Sequence, residues 1–365
     1  MAEPQQTEIA VVRQLDIAPM SSVTPKRVRW LWKDRIPVGE LTLVAGKGGI
    51  GKSTLLAEWC AWITTGQMKG EYFGEPRDVL YVVNEDSLEY TVVPRLLAAG
   101  ADLSRVHRVR ANIGGRWDRV MLPLDCERLH EAVKHFGAPV VFLDPLSSNL
   151  TAKKIDQDEM RGALERIRKT AEQSEGAFVG LAHTKKALTT NLLDAIMGSS
   201  EMANVSRSVM GAMRDPDADD GSIVLSQEKN NLGRLDLPSF KYGIATEWLG
   251  DPLDPDTIQT SKIVWLGKTD RTVSDMLAEG PREGGKTALA EAVDFVRVYL
   301  VQGGGQAMRG EVLRDGQKDG HSRSAIERAA KKLGVLSTAS GQGAMRLWSL
   351  PVSPPDASGS PAVRE

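Results

Sequence analysis

Only two cysteines occur in the 365 residues, Cys60 and Cys126. That count excludes a disulfide framework and a cysteine-rich zinc module, and it leaves reduced, inert thiols in a cytoplasmic protein as the expectation. Long apolar runs are also missing. None approaches the ~18–20 residues needed to span a bilayer. The opening residues, MAEPQQTEIA, lack the basic-then-apolar order of a signal peptide. Charge of one sign is missing as well: 46 Lys and Arg face 48 Asp and Glu, a formal net charge of −2. A globally basic nucleic-acid binder is excluded, whereas a basic patch on a neutral body is not. The five histidines show no H-E-x-x-H or similar metal spacing. There is no internal repeat.

The composition that remains, 41% apolar and 26% charged, is that of a soluble globular chain long enough for two domains. Residues 1–35 read as a polar, then basic arm carrying Trp30 and Trp32. That arm either packs on a neighbour or covers the chain's own sheet edge. Five short apolar runs follow: LTLVA (41–45), VLYVV (79–83), PVVFLD (139–144), AFVGLA (177–182) and SIVLSQ (222–227). Each is bounded by Gly, Pro or charge, the pattern of buried strands in a mainly parallel sheet. Helical spacing appears between them at 55–65, 127–136 and 159–173, and a further helix is expected over NVSRSVMGAMRD. Trp59 and Trp62 on the first helix are expected in core or interface.

This pattern predicts an α/β domain over 36–250. The Pro/Asp/Gly clusters DPLDPD and EGPREGG mark 251–285 as a linker. Residues 286–350 follow the helix–helix–helix–hairpin order of a winged helix, and 351–365 read as a disordered tail.

Gly46-Lys47-Gly48-Gly49-Ile50-Gly51-Lys52-Ser53, followed by Thr54, matches G-x-x-x-x-G-K-[ST] between a strand and a helix. Such glycines let backbone N–H groups and a helix N-terminus wrap phosphates. The motif assigns Lys52 to the β/γ-phosphates and Ser53 to Mg²⁺, so ATP and Mg²⁺ are the expected cofactors. The lack of an N-K-x-D motif favours ATP over GTP. Lys47 makes the loop resemble the deviant loop of ParA/MinD partition ATPases. The preceding Arg35-Ile36-Pro37-Val38-Gly39-Glu40 instead resembles RecA-like hexameric ATPases.

Several strand ends carry polar groups where an open α/β sheet binds ligands. Glu85 follows VLYVV and is suited to polarise the attacking water; Asp144 ends VVFLD as a second Mg²⁺ ligand. His183 in His183-Thr184-Lys185 is placed to sense the γ-phosphate. Gly198-Ser199-Ser200 with Arg207, and Lys229-Asn230-Asn231-Leu232-Gly233, complete an ordered set. Over residues 28–235 the set resembles the RecA-like hexameric helicases of the plasmid RepA type. The resemblance implies that Arg207 is an arginine finger supplied across a subunit boundary, with Lys229 as its companion; Arg214 is the alternative finger. A finger in trans requires a head-to-tail interface, hence a homo-oligomer, by resemblance a hexameric ring, with replication-protein partners possible.

Two loops carry lysine pairs, Lys153-Lys154 and Lys185-Lys186, expected to meet single-stranded DNA in a central channel. Neither loop contains an aromatic residue, so base stacking is not indicated there. In the C-terminal module, a capping box at Ser324–Glu327 is expected to start a helix. Arg328, Lys331 and Lys332 would face solvent or DNA, with Ile326, Ala329, Ala330 and Leu333 inward, and 341–343 would form the wing tip. The sequence therefore predicts a Mg²⁺-dependent ATPase acting as a DNA helicase, or an ATP-switched DNA-binding, loading or partition ATPase without unwinding.

Overall fold

The computed structural model describes residues 15–151, 156–185, 190–197, 200–218, 220–279, 288–339 and 346–351. The chain begins with an antiparallel pair, β1 (Trp30–Trp32) and β2 (Ile36–Pro37). Next come β3 (Leu41–Gly46), α1 (Lys52–Thr64) and β4 (Val79–Val83). A π-helical turn, Leu88–Val92, runs straight into α2 (Val93–Ala99). β5 (Val106–Arg108) precedes a small outlying ribbon, β6 (Ala111–Ile113) and β7 (Arg116–Asp118). Then follow α3 (Cys126–Phe136), β8 (Val140–Asp144), the single turn α4 (Leu146–Asn149), α5 (Gln157–Ser174) and β9 (Ala177–His183). Short helices α6 (Leu192–Ala195) and α7 (Ser200–Val205) lead to β10 (Ser208–Arg214), β11 (Ile223–Asn230), β12 (Ser239–Leu249) and β13 (Ile258–Thr269). After α8 (Val273–Ala278) come α9 (Ala288–Gln302), β14 (Gln306–Met308), α10 (Arg309–Lys318), α11 (Arg323–Lys332), β15 (Leu336–Ala339) and β16 (Arg346–Ser349).

Nine strands form one sheet in the order β13-β12-β11-β10-β3-β9-β8-β4-β5. From β10 to β5 the strands run parallel; β11, β12 and β13 are antiparallel additions. The central parallel strands are buried on both faces, which is why they read as unbroken apolar runs. One face carries Leu129, Leu164 and Ile167 from α3 and α5, and the other carries Leu55, Leu56 and Trp59 from α1. Because β9 lies between β3 and β8, the ends of all three strands converge on one crevice. Among the described residues, no helix is long and apolar enough to cross a membrane.

Three sequence expectations are corrected. SVMGAMR is not helical: it is β10, a central strand paired with β3. Its Met and Ala residues favour helix locally, but the slot beside β3 overrides propensity. Gly211 is needed there, since a Cβ would lie 2.4 Å from a Leu192 methyl.

The segment 251–285 is not simply a linker. DPLDPD forms the tip of a long hairpin, β12–β13, whose second strand belongs to the main sheet. That hairpin packs across α1 onto α2. The other cluster, 280–287, lies outside the described residues.

Lastly, α11 starts two residues before the expected capping box. Ser322 is its N-cap and accepts from the Ala325 N–H at 3.2 Å. Ile326 and Ala329 are buried as expected. Arg328 is not free in solvent: it reaches Asp217 of the β10–β11 turn at 3.3 Å. The buried Asp217 carboxylate needs cations, and helix α11 supplies one of them.

Trp30 and Trp32 are buried within their own chain. Trp32 meets Trp59 edge-on at 5.4 Å and stacks on Phe240 at 5.6 Å. Arg35 lies over the same two rings, 5.2 Å from Trp32 and 4.7 Å from Phe240. Asn230 donates to the Asp34 carbonyl at 2.9 Å, and a Cβ on Gly233 would strike Trp30 at 2.9 Å. The R-I-P-x-G and K-N-N-x-G motifs, far apart in sequence, are thus two sides of one packed corner. The last part of the chain has its own apolar cluster, including Val296, Leu300, Ile326 and Trp348. Its three-stranded sheet has the order β14-β16-β15.

Candidate functional site

The phosphate loop connects β3 to α1. Gly51 is the N-cap of α1 at φ 76°, a left-handed conformation that disfavours a side chain. Gly46 is required for space, because a Cβ would lie 2.5 Å from the Ala212 carbonyl oxygen of β10. Lys52 is 6% exposed, and its ammonium donates to the Gly46 and Lys47 carbonyls, each at 2.9 Å. Burial pushes its pKa down to about 8, with Asp144 acting against the shift. The loop's own carbonyls thus hold the ammonium where a phosphate oxygen would compete for it. Lys47 is exposed on the outside of the loop.

The crevice of about 230 Å³ beside the loop gathers Lys52, Ser53, Glu85, Asp144 and His183. They come from the carboxyl ends of four parallel strands, Lys52 and Ser53 after β3, Glu85 after β4, Asp144 on β8 and His183 on β9, so the topology assembles what the sequence scatters. Asp144 is 8% exposed and bonded to Ser53 and Tyr81, whose hydroxyl donates at 3.0 Å. Burial raises the Asp144 pKa, and those two hydrogen bonds oppose the rise. The Tyr81 hydroxyl is driven well above its ordinary range, first by burial and then by Asp144, so it stays a donor. Hard oxygens of Ser53 and Asp144 side by side fit Mg²⁺, which when bound offsets phosphate charge. Among the described residues, no cluster of three or more His, Cys, Asp or Glu forms another metal site.

His183 Nδ1 lies 3.5 Å from the Lys52 ammonium. Burial first, then Lys52, depresses its pKa; Glu85 acts the other way. A neutral imidazole beside a cation is free to accept or donate a hydrogen bond. Glu85 accepts from the Ser148 hydroxyl, and the neighbouring Asn84 bonds Asn149 at 2.7 Å. The loop after β8 therefore fixes the carboxylate that follows β4.

Arg207 and Lys229 are brought together with each other but not with this crevice. Arg207 directly precedes β10, and its N–H donates to the Leu41 carbonyl at 3.0 Å. Leu41 and Gly46 are at opposite ends of β3, so roughly 17 Å of strand separates Arg207 from the phosphate loop. Lys229 donates to the Ala203 and Asn204 carbonyls at the end of α7. Burial, then Arg207, lowers its pKa. Arg214 is at the far end of β10, bonded to the Gly221 carbonyl.

Lys185 is exposed; Lys153, Lys154, Lys186, Gly198, Ser199 and 341–343 lie outside the described residues. Lys331 and Lys332 are exposed on α11. Cys60 is fully buried and burial pushes its thiol far up; the Cys126 thiol is raised in the same way.

Four parts of the site escaped sequence reasoning. Tyr81 is a polar atom in an otherwise aliphatic run, a signal that was there to be read. Arg95 lines the crevice and pairs with Asp86 at 2.7 Å, but nothing in the sequence marks it. Ser148 had no signal beyond its place after β8. The hairpin β12–β13 is the largest omission. Tyr242 donates to the Ile50 carbonyl of the loop at 3.0 Å, and Trp265 donates to Glu58 at 3.1 Å while stacking on Trp62 at 5.3 Å.

No curated protein matches the chain at a significant level. A family model described as the AAA domain matches residues 6–188, half of the chain, from before the first strand to just past His183. With the phosphate loop, Asp144 and Glu85 arranged as they are, the chain belongs to the AAA domain family, nucleotide-hydrolysing proteins of the P-loop superfamily.

Proposed function

We propose that this protein is an ATP-driven, oligomeric motor on DNA, of the RepA-type replicative helicase kind. In this reading Lys52 holds the β- and γ-phosphates and Ser53 and Asp144 hold the metal. Glu85 orients the attacking water and His183 senses the γ-phosphate. Arg207, with Lys229 beside it, acts on the nucleotide of a neighbouring copy, and the copies close into a hexameric ring. The observation that carries the reading is the incompleteness of one chain. Among the described residues the crevice's own arginine, Arg95, is paired with Asp86, while Arg207 and Lys229 sit together roughly a strand's length away. A cation supplied in trans is worth ~10³–10⁵ in rate.

The exposed Lys185, with Lys153, Lys154 and Lys186 of the same two sequence loops, would give sequence-independent, salt-sensitive contact with a single strand. A winged-helix reading of the C-terminal part is supported by its separate core and by α11, which carries Lys331 and Lys332. Arg328 is engaged by Asp217, so DNA contact through that helix would rest on the lysines.

Mixing variants tests the proposal. Glu85→Gln and Arg207→Ala should each be inactive alone while still binding ATP. Mixed, they should regain turnover, because some interfaces pair an intact Glu85 with an intact Arg207. No recovery in a mixture shown to co-assemble would overturn the finger in trans.

The exposed Lys47 keeps a partition-type switch in play. Lys47→Ala should leave ATPase turnover nearly unchanged in a motor and should abolish ATP-driven dimerisation in a switch.

A further inference from the structure

The β6–β7 ribbon has no part in the crevice and adds nothing to either main core cluster. It turns tightly through Gly114 and Gly115, both at positive φ. From Arg108 to Arg119 the segment holds four arginines and one acid, Asp118. All four arginines are exposed, and none enters an ion pair among the described residues. Trp117 is 62% exposed. An exposed tryptophan on an arginine-rich ribbon is not explained by folding.

The register sorts these side chains. Asn112 is opposite Trp117 and Ala111 is opposite Asp118. Alternation therefore puts Arg110, Asn112, Trp117 and Arg119 on one face and Asp118 on the other. The Arg110 guanidinium lies 4.9 Å from the Trp117 ring centre. Asn112 is occupied by the turn, accepting from the Gly115 N–H at 3.0 Å. What this face offers is an exposed ring with two cations beside it, Arg110 and Arg119, which the register sets opposite each other on the side away from the turn.

We propose that this face is a binding site for single-stranded nucleic acid. A base stacks on the open side of Trp117, and Arg110 and Arg119 beside it take phosphates of the same strand. An acidic peptide would use the arginines and leave the ring without a role.

The ribbon's placement couples it to hydrolysis. β5 runs parallel to β4, so the ribbon leaves the sheet at the same end as Glu85 and Asp144. Beyond it, the Leu122 N–H donates to the Asn149 carbonyl at 2.6 Å, and the Thr151 N–H donates to Leu122 at 2.8 Å. That segment carries Ser148, which holds Glu85. A strand bound at the ribbon thus pulls on the mount of Glu85. This inference rests on the nucleic-acid reading above and adds a site outside the lysine loops.

Anisotropy of a short fluorescein-labelled oligothymidylate with the full-length chain, over a salt series, tests it. Trp117→Ala should weaken binding roughly tenfold or more, as loss of one stacked base predicts, with the salt dependence unchanged. Trp117→Phe should keep most of the affinity. Arg110→Ala with Arg119→Ala should reduce the slope of log K against log salt by ~1.4, at ~0.7 per phosphate contact. These positions are exposed, so ATPase turnover without DNA should stay at the wild-type level. If the wild type binds and every ribbon variant binds equally well, the ribbon site is overturned while the motor reading stands. If Trp117→Phe loses as much as Trp117→Ala, or polyglutamate displaces the oligonucleotide without regard to Trp117, stacking is overturned. If the wild type does not bind oligothymidylate at low salt, both readings fall together.

Discussion

Asp217→Asn probes how the C-terminal part is held to the sheet. The Asp217 carboxylate is 1% exposed and sits 2.8 Å from Arg271 and 3.3 Å from Arg328 of α11. It also accepts from the Leu289 N–H at the start of α9, at 3.3 Å. Removing one partner of a buried pair costs ~3–5 kcal/mol when the other is stranded. Here Arg271 keeps Asp215 at 2.6 Å and also Glu279, and Arg328, 33% exposed, can rehydrate. The expected loss is therefore smaller, ~2–3 kcal/mol.

The loss should be local, because the cluster ties α9 and α11 to the β10–β11 turn. Native-state amide exchange reads this directly. Slow amides of α9 and α11 should exchange ~30–150-fold faster, since 1.4 kcal/mol is a factor of ten. Those of β3 and β9 should not change. Unchanged exchange in α9 would refute the docking argument, and equal acceleration throughout would show one cooperative unit instead.

Two other predictions concern the phosphate loop. Without nucleotide, the buried Lys52 ammonium is destabilising, its pKa lowered from 10.5 to about 8. Below pH 8 the folded and unfolded states are both charged and the penalty is full; between 8 and 10.5 only the unfolded state stays protonated, so stability rises with pH. Lys52→Met should thus gain up to ~3 kcal/mol in urea unfolding at pH 7, lose that advantage as the pH approaches 10.5, and fail to bind ATP. An unchanged unfolding midpoint at pH 7 would refute the burial argument. Tyr242→Phe strands the buried Ile50 carbonyl, so thermal unfolding should show a loss of ~1–2 kcal/mol and calorimetry a weaker nucleotide affinity. Full affinity in this variant would show that the hairpin does not support the loop.

Much of the site was legible because its chemistry is local. A glycine-rich loop between an apolar run and a helix identifies its own geometry, and polar residues ending apolar runs point to the crevice. Glu85, Asp144 and His183 were found that way. Tyr81, Ser148 and Arg95 were not, because their importance depends on which strands are neighbours. β10 was misread for a related reason. Its residues suit a helix, and only the vacancy beside β3 makes a strand of them. The hairpin β12–β13 was hidden by its tip, where Asp and Pro resemble a linker although the flanking strands continue the sheet.

The sequence by itself determined the parallel core, the phosphate loop and the polar residues that follow its strands. Burial on both faces and phosphate wrapping each demand a residue pattern that few other structures share. Only the tertiary structure decided that Arg207 and Lys229 stand apart from their own loop and that Arg328 is bound to Asp217. It alone put the hairpin behind Ile50 and left the arginine–tryptophan face of the ribbon open. These are relations between distant segments, set by strand order and by the need of buried charges for partners, and no local pattern encodes them.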